Sequence, residues 1–73
     1  QVRLHLVVGG RTLQLAEIAP DSLYLRELIS IPPCDADVVM HLDGHERRWS
    51  VFLPDGIRLD SRLVRTEPRS RVG

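Results

Sequence analysis

A chain of 73 residues suffices for one small domain, and such a domain hides only roughly 60% of the surface that its unfolded chain exposes. The residues are 42% apolar and 27% charged, which is typical of a globular protein and excludes a disordered one. Ten arginines balance ten carboxylates, so the chain has no net charge that would attract it to nucleic acid or to an anionic membrane.

The single cysteine, Cys34, excludes an internal disulfide. Because disulfides belong to oxidising compartments, we expect a cytoplasmic protein. Self-association is one source of added stability for a core this small, and the sequence leaves it open. No apolar run approaches the ~18 residues of a membrane-spanning helix, so we expect no membrane partner. Since the chain does not begin with methionine, we also expect that it was trimmed or excised from a longer protein.

The first strands follow from an apolar residue at every even position up to residue 8, which is the two-residue period of a β-strand. Gly9-Gly10 then suits a two-residue hairpin turn. Such a turn places Leu6 opposite Leu13. It also places Leu4 opposite Leu15, so the four leucines share one face and fix the register.

The next element is ambiguous. The second strand is predicted to run to Ile18, and Ala19–Ser22 reads as a turn. Residues 23–31, "LYLRELISI", begin a third strand or form a short helix, because leucine, glutamate and arginine favour helices. We favour the strand, since Ser30–Pro33 forces an extended chain and the neighbouring elements are strands.

A second hairpin is predicted around Asp43-Gly44, a strong hairpin signal. A two-residue turn there pairs Leu42 with His45, and it pairs His41 with Glu46. Strand four carries its apolar face on Val38, Met40 and Leu42, and strand five continues that face with Trp49, Val51 and Leu53. Trp49 is therefore predicted to lie in the core.

The end of the chain completes the prediction. Pro54–Gly56 is a turn, and Ile57 to Val64 suggests a last strand. The fold class is all-β: a small six-stranded antiparallel barrel or sandwich built from hairpins, whose strand order stays open. Residues 1–66 form the single barrel domain, and residues 67–73 form a flexible basic tail.

The polar cluster at the tip of the second hairpin raises the question of a metal site. On the predicted register His41 and His45 point to opposite faces, whereas zinc needs three or four converging ligands. We therefore predict no metal and no cofactor. No G-x-S-x-G motif or phosphate-binding loop with its lysine occurs, and Cys34 has no base near it in sequence, so we predict no catalytic residue and no enzymatic activity.

One side chain does not fit a plain polar face. Phe52 shares the predicted solvent face of strand five with Arg48 and Ser50. We expect a non-catalytic interaction module that contacts another protein or a second copy of this chain. The candidate contacts are Arg48 and Phe52 on this face, Tyr24 on strand three, and the exposed strand edges. The alternative is nucleic-acid binding through the arginine excess near the C-terminus, with Arg58, Arg62 and Arg65 on phosphates.

The stretch "LAEIAPDSLYLRELISIPPCDADVVMHLDG", residues 15–44, resembles the PilZ domain. Members of that family are six-stranded β-barrels that bind cyclic di-GMP in bacteria through an R-x-x-x-R segment and a D/N-x-S-x-x-G motif. Here Glu17, Ala19 and Ser22 stand at the three motif positions, and no R-x-x-x-R segment precedes the barrel, since Arg3 and Arg11 do not have that spacing. The resemblance implies a degenerate member that does not bind the nucleotide and acts through protein contacts in regulation.

Overall fold

The computed structural model describes residues 2–69 and shows an all-β chain with no helix in that range, and hence none long and apolar enough to cross a membrane. Every pair of neighbouring strands is antiparallel, in the order β6-β3-β2-β1-β4-β5-β7. The strands are β1 Val2–Val8, β2 Arg11–Ala19, β3 Ser22–Leu25, β4 Cys34–Leu42, β5 His45–Leu53, β6 Leu63–Arg65 and β7 Glu67–Pro68. The predicted all-β class is confirmed, with seven strands instead of six.

The sheet curls into a nearly closed barrel because its two edges are joined by one short segment. Strand β6 pairs with β3 at one edge, and β7, which begins two residues later, pairs with β5 at the other. Thr66 lies between them and donates its N–H to the carbonyl of Asp21 at 3.0 Å. Few main-chain groups are thereby left at an open sheet edge.

The first hairpin has the predicted register, with Leu6 opposite Leu13 and positive φ at both turn glycines. Its ladder ends at His5 and Gln14, because β2 has a bulge between Leu15 and Glu17 and then follows β3. The predicted pairing of Leu4 with Leu15 falls at this divergence, although Leu4 packs against the core as expected.

The ambiguous stretch, residues 23–31, begins as the predicted strand, which spans Ser22–Leu25. The stretch contains no helix, so the helix alternative is wrong. Residues 26–30 are bends and irregular chain. Ile31 then forms an isolated antiparallel bridge with Ile57, with hydrogen bonds in both directions at 2.9 and 2.7 Å. The chain is extended before Pro32 because proline disfavours helical geometry in the residue before it.

The second hairpin also has its predicted register. Leu42 lies opposite His45, and His41 lies opposite Glu46. Asp43 and Gly44 have φ of 46° and 84°, and positive φ at both turn residues is the geometry of a type I′ turn, whose twist matches that of the flanking strands.

The C-terminal prediction needs two corrections. The last predicted strand begins at Leu63 and not at Ile57, because residues 58–62 form turns and bends. The predicted flexible tail is wrong for residues 67–69: Glu67-Pro68 pairs with β5, and the Arg69 N–H donates to the Ser50 carbonyl at 3.4 Å. The rest of that predicted tail, residues 70–73, lies outside the described residues.

One cluster of buried side chains fills the barrel, drawn from β1 to β6 and from the bridge residue Ile57. No polar or charged residue is buried within residues 2–69, so the core is held by apolar packing alone. The cluster consists of Leu6, Val8, Leu13, Leu15, Leu23, Leu25, Ala36, Val38, Val51, Leu53, Ile57 and Val64.

Candidate functional site

Trp49 lies on the predicted face of β5 but is not in the core. It stands opposite the fully buried Val38, yet 38% of its own surface is exposed. All residues of β5 from His45 to Ser50 are exposed, and burial begins only at Val51. The core prediction for Trp49 is therefore wrong, because the first half of β5 extends beyond the part of the barrel that the opposite strands cover.

The exposed indole borders an apolar groove of about 390 Å³. The groove lies between the β2–β3 turn on one side and strands β5 and β7 on the other. Its lining residues are Ile18, Ala19, Pro20, Leu23, Val38, Trp49, Val51, Thr66 and Pro68, and none of them carries a charge. We call this feature the Trp49 groove.

Apolar surface continues along the same face of the sheet. Val2 and Leu42 lie opposite each other on β1 and β4, and both are exposed. Large apolar side chains together with a tryptophan on one uncovered face are typical of a protein contact surface.

The outer face of β5 carries the predicted contact residues Arg48 and Phe52. Phe52 is only half-buried, and the guanidinium of Arg69 lies over its ring at 5.1 Å. Arg69 is held there by its hydrogen bond from Nε to Oδ1 of Asp35, at 2.7 Å, and Asp35 is the cross-strand neighbour of Phe52. The anomalous aromatic on this face is thus covered from within the chain, by a residue that the sequence reasoning had assigned to the tail.

Arg48 belongs to a separate small cluster on that face. Its cross-strand neighbour Val39 is only 4% exposed, although it lies outside the core cluster, and His5 flanks Val39 from β1. Tyr24, the third predicted contact, is exposed on β3, and β2, β1 and β4 separate it from β5 in the sheet. Around the closing side of the barrel, β6 and β7 lie between β3 and β5, so at least two strands separate Tyr24 from Arg48 and Phe52 in either direction.

The arginines predicted to contact nucleic acid are largely paired with carboxylates. Arg58 donates through Nε to Asp60 at 3.1 Å, and Arg65 donates to Asp55 at 3.2 Å. The hydrogen bond from Arg58, and then its charge, lower the pKa of the Asp60 carboxyl below its ordinary value. Within residues 2–69, only Arg62 of the three has no ion pair.

The histidines do not assemble a metal site. His41 Nε2 lies 3.3 Å from Glu46 Oε1, as the register predicts, and the His5 ring meets the His41 ring edge-on at 6.1 Å between centroids. Across residues 2–69, no three His, Cys, Asp or Glu side chains are placed to hold a metal ion.

Comparison with known proteins identifies no relative. A scan against protein-family models and searches of curated proteins and of solved structures found no match to this chain. Its function is therefore argued from the geometry of these surfaces.

Proposed function

We propose that this chain is a non-catalytic β-barrel module that works by binding another protein, and that the Trp49 groove is its contact surface. The observation that carries the proposal is the position of Trp49: the only tryptophan of the chain lies uncovered at the border of an uncharged groove. Tryptophan is among the residues that contribute most to binding energy at protein interfaces, because it buries a large apolar area on association.

The groove indicates what the partner presents. A volume of about 390 Å³ is large enough to take apolar side chains of a bound segment. A charged group placed there would lose its hydration without gaining a partner among residues 2–69, since none of those that line the groove is charged. The partner is therefore a protein segment that inserts apolar side chains, and the exposed Val2 and Leu42 extend the contact along the sheet.

The resemblance to the PilZ family remains a hypothesis that is compatible with the barrel-like sheet. The changed motif positions lie around the β2–β3 turn, with Glu17 and Ala19 on β2 and Ser22 at the start of β3. Glu17 adds a negative charge where the family would bind phosphates. We expect a regulatory role in the cytoplasm of a bacterium, and titration calorimetry with cyclic di-GMP should give no heat; micromolar affinity would contradict this assignment.

Nucleic-acid binding is the second candidate, and the contacts favour it less. Arg58 and Arg65 are neutralised by Asp60 and Asp55, so each phosphate contact would require breaking an ion pair. If nucleic acid were the partner, a single-stranded RNA would shift in a gel at low salt and lose affinity steeply as salt rises. We expect no shift.

The protein-binding proposal is tested by comparing variants of one immobilised protein in cell extract. Trp49→Ala should abolish capture of a partner that the wild type retains. Leu59→Ala, which removes another exposed apolar side chain outside the groove, should leave capture unchanged. If Phe52→Ala or Arg48→Glu abolished capture while Trp49→Ala did not, the contact surface would be the outer face of β5, and the groove would be the wrong assignment.

Self-association is distinguished by mass. Sedimentation of the purified protein should give the 8.3 kDa of one chain. A dimer that Trp49→Ala converts to a monomer would mean that the groove binds a second copy and not another protein.

A further inference from the structure

A second, chemically different site lies where β1 and β2 separate. Their ladder ends at His5 and Gln14, and the bulge in β2 then directs that strand towards β3. An open cleft of about 630 Å³ results, lined by Val2, Arg3, Leu4, His5, Gln14, Leu15, Ala16 and Arg26. One end is fixed by the main chain, since the Arg26 N–H donates to the Gln14 carbonyl at 3.2 Å.

The lining of this cleft is basic. Arg3 enters from β1 and Arg26 from the residue after β3, and His5 adds a third nitrogen-bearing side chain. Among residues 2–69, no carboxylate lines the cleft. In a chain whose charges balance overall, this concentrates two permanent positive charges at one concave surface.

Both arginines have their charge available for a ligand. Three arginines near the C-terminus, Arg58, Arg65 and Arg69, are each paired with an aspartate. Arg3 and Arg26 form no ion pair within residues 2–69. The acidic side chain of Asp43 lies outside the cleft, in an adjoining depression that is also lined by Arg3 and His5.

We propose that this cleft binds a small phosphate ester, with its phosphate held between the guanidinium groups of Arg3 and Arg26. Guanidinium groups present forked donors that match phosphate oxygens in pairs. The Gln14 side chain offers a further amide donor, and the half-buried Leu4 provides apolar surface for a small organic group. The volume suits a small molecule of this kind.

This site is separate from the Trp49 groove, because none of the residues that line the groove lines the cleft. Val2 alone belongs both to the cleft and to the extension of the proposed protein contact along the sheet. A ligand in the cleft therefore need not compete with a partner in the groove, and either proposal can fail while the other holds.

The test uses the whole chain labelled with ¹⁵N and titrated with phenyl phosphate and with inorganic phosphate, with sodium chloride at matched ionic strength as the blank. Saturable amide shifts should occur at Gln14 and Arg26 with both phosphates and not with chloride. The double variant Arg3→Gln/Arg26→Gln should weaken binding at least ~10-fold, which is the loss expected for removing charge-assisted hydrogen bonds.

The matched control is Arg48→Gln/Arg62→Gln, which removes the same charge from exposed arginines outside the cleft. It should change affinity less than about 2-fold, because distant exposed charges are screened at moderate salt. Arg26→Lys, which keeps the charge but loses the fork, should fall between wild type and the double variant. Dispersed amide spectra would show that each variant is folded.

Three results would overturn the proposal. The first is an equal loss of affinity in both double variants, which would reduce the effect to net charge. The second is tighter binding of a single-stranded oligonucleotide than of phenyl phosphate, lost with the same cleft arginines, which would make a nucleic-acid backbone the ligand. The third is the absence of any saturable shift with phenyl phosphate.

Discussion

Among the described glycines, Gly56 should tolerate a side chain least. The variant Gly56→Ala therefore tests how closely the chain after β5 packs against residues 31–33. The φ of Gly56 is +62°, in the left-handed region. A Cβ atom built there would lie 2.1 Å from the Ile31 carbonyl oxygen, and within 2.8 Å of main-chain atoms of Pro32 and Pro33. That carbonyl is also the acceptor for the Ile57 N–H, at 2.7 Å. The added methyl must therefore displace the segment that forms the Ile31–Ile57 bridge.

Two costs add in this variant. A non-glycine residue in the left-handed region costs roughly 1–2 kcal/mol. Forcing extra volume into a filled space costs typically about 1–3 kcal/mol, and here the obstructing atoms are main chain and cannot rotate away. The expected loss is about 2–5 kcal/mol, which approaches the ~3–5 kcal/mol that a core of this size supplies. Gly56→Ala should therefore lose most of the free energy of unfolding, so that its urea transition begins close to zero urea.

Gly9→Ala is the matched control. Its φ of +55° is nearly the same, but no atom lies within 4 Å of the added Cβ. It should lose only the conformational cost of about 1–2 kcal/mol. Urea unfolding followed by the fluorescence of Trp49 gives both free energies. Equal losses in the two variants would refute the close approach of Gly56 to residues 31–33.

Two further perturbations test burial and charge. Leu53→Ala, at a fully buried position, should lower the free energy of unfolding by about 2–5 kcal/mol. Leu59→Ala, at a leucine that is 62% exposed, should change it by less than about 0.5 kcal/mol, and a similar loss in both would contradict the core assignment. The pKa of Asp60, followed by carboxyl NMR, should lie below the ordinary aspartate value and return to it in Arg58→Gln. Because the pKa of Asp60 is lowered in the folded state, this pair stabilises the protein at neutral pH. Its contribution should disappear as the pH falls through the pKa of Asp60 in the folded protein. An Asp60 pKa that Arg58→Gln left unchanged would contradict the pairing.

Local sequence determined the two hairpins well. Gly9-Gly10 and Asp43-Gly44 adopt the positive φ that their turns require, and the alternating pattern sets the register of each pair of strands. The His41–Glu46 contact followed directly from that register. These features depend on residues close in the chain, so turn chemistry and a period of two suffice to predict them.

The error at Trp49 has a different origin. Alternation correctly placed it on the face of Val51 and Leu53, but a period of two says only which face a side chain occupies. Whether that face is covered depends on how far the other edge of the sheet extends, which here includes the two-residue strand β7. The burial of Val39 on the outer face also escaped prediction, since alternation alone assigns that face to solvent.

Contacts between distant parts of the chain were also missed. Arg69 reaches Asp35, 34 residues away, and covers Phe52, yet the stretch that contains Arg69 has few apolar residues and resembles a tail. The cleft beside Arg3 and Arg26 exists because β2 has a bulge after Leu15, and no sequence signal marked that bulge. Such features arise from closure of the barrel and not from any local pattern.

The most direct test of the central claim, that this chain binds a protein through the Trp49 groove, is to titrate the purified partner while observing Trp49 fluorescence. As the only tryptophan of the chain, Trp49 reports on the groove, provided that the partner's own tryptophans are replaced. We predict a saturable blue shift of its emission and a loss of quenching by acrylamide, because the exposed indole becomes buried. Tight binding that left both the emission and the quenching of Trp49 unchanged would contradict the account.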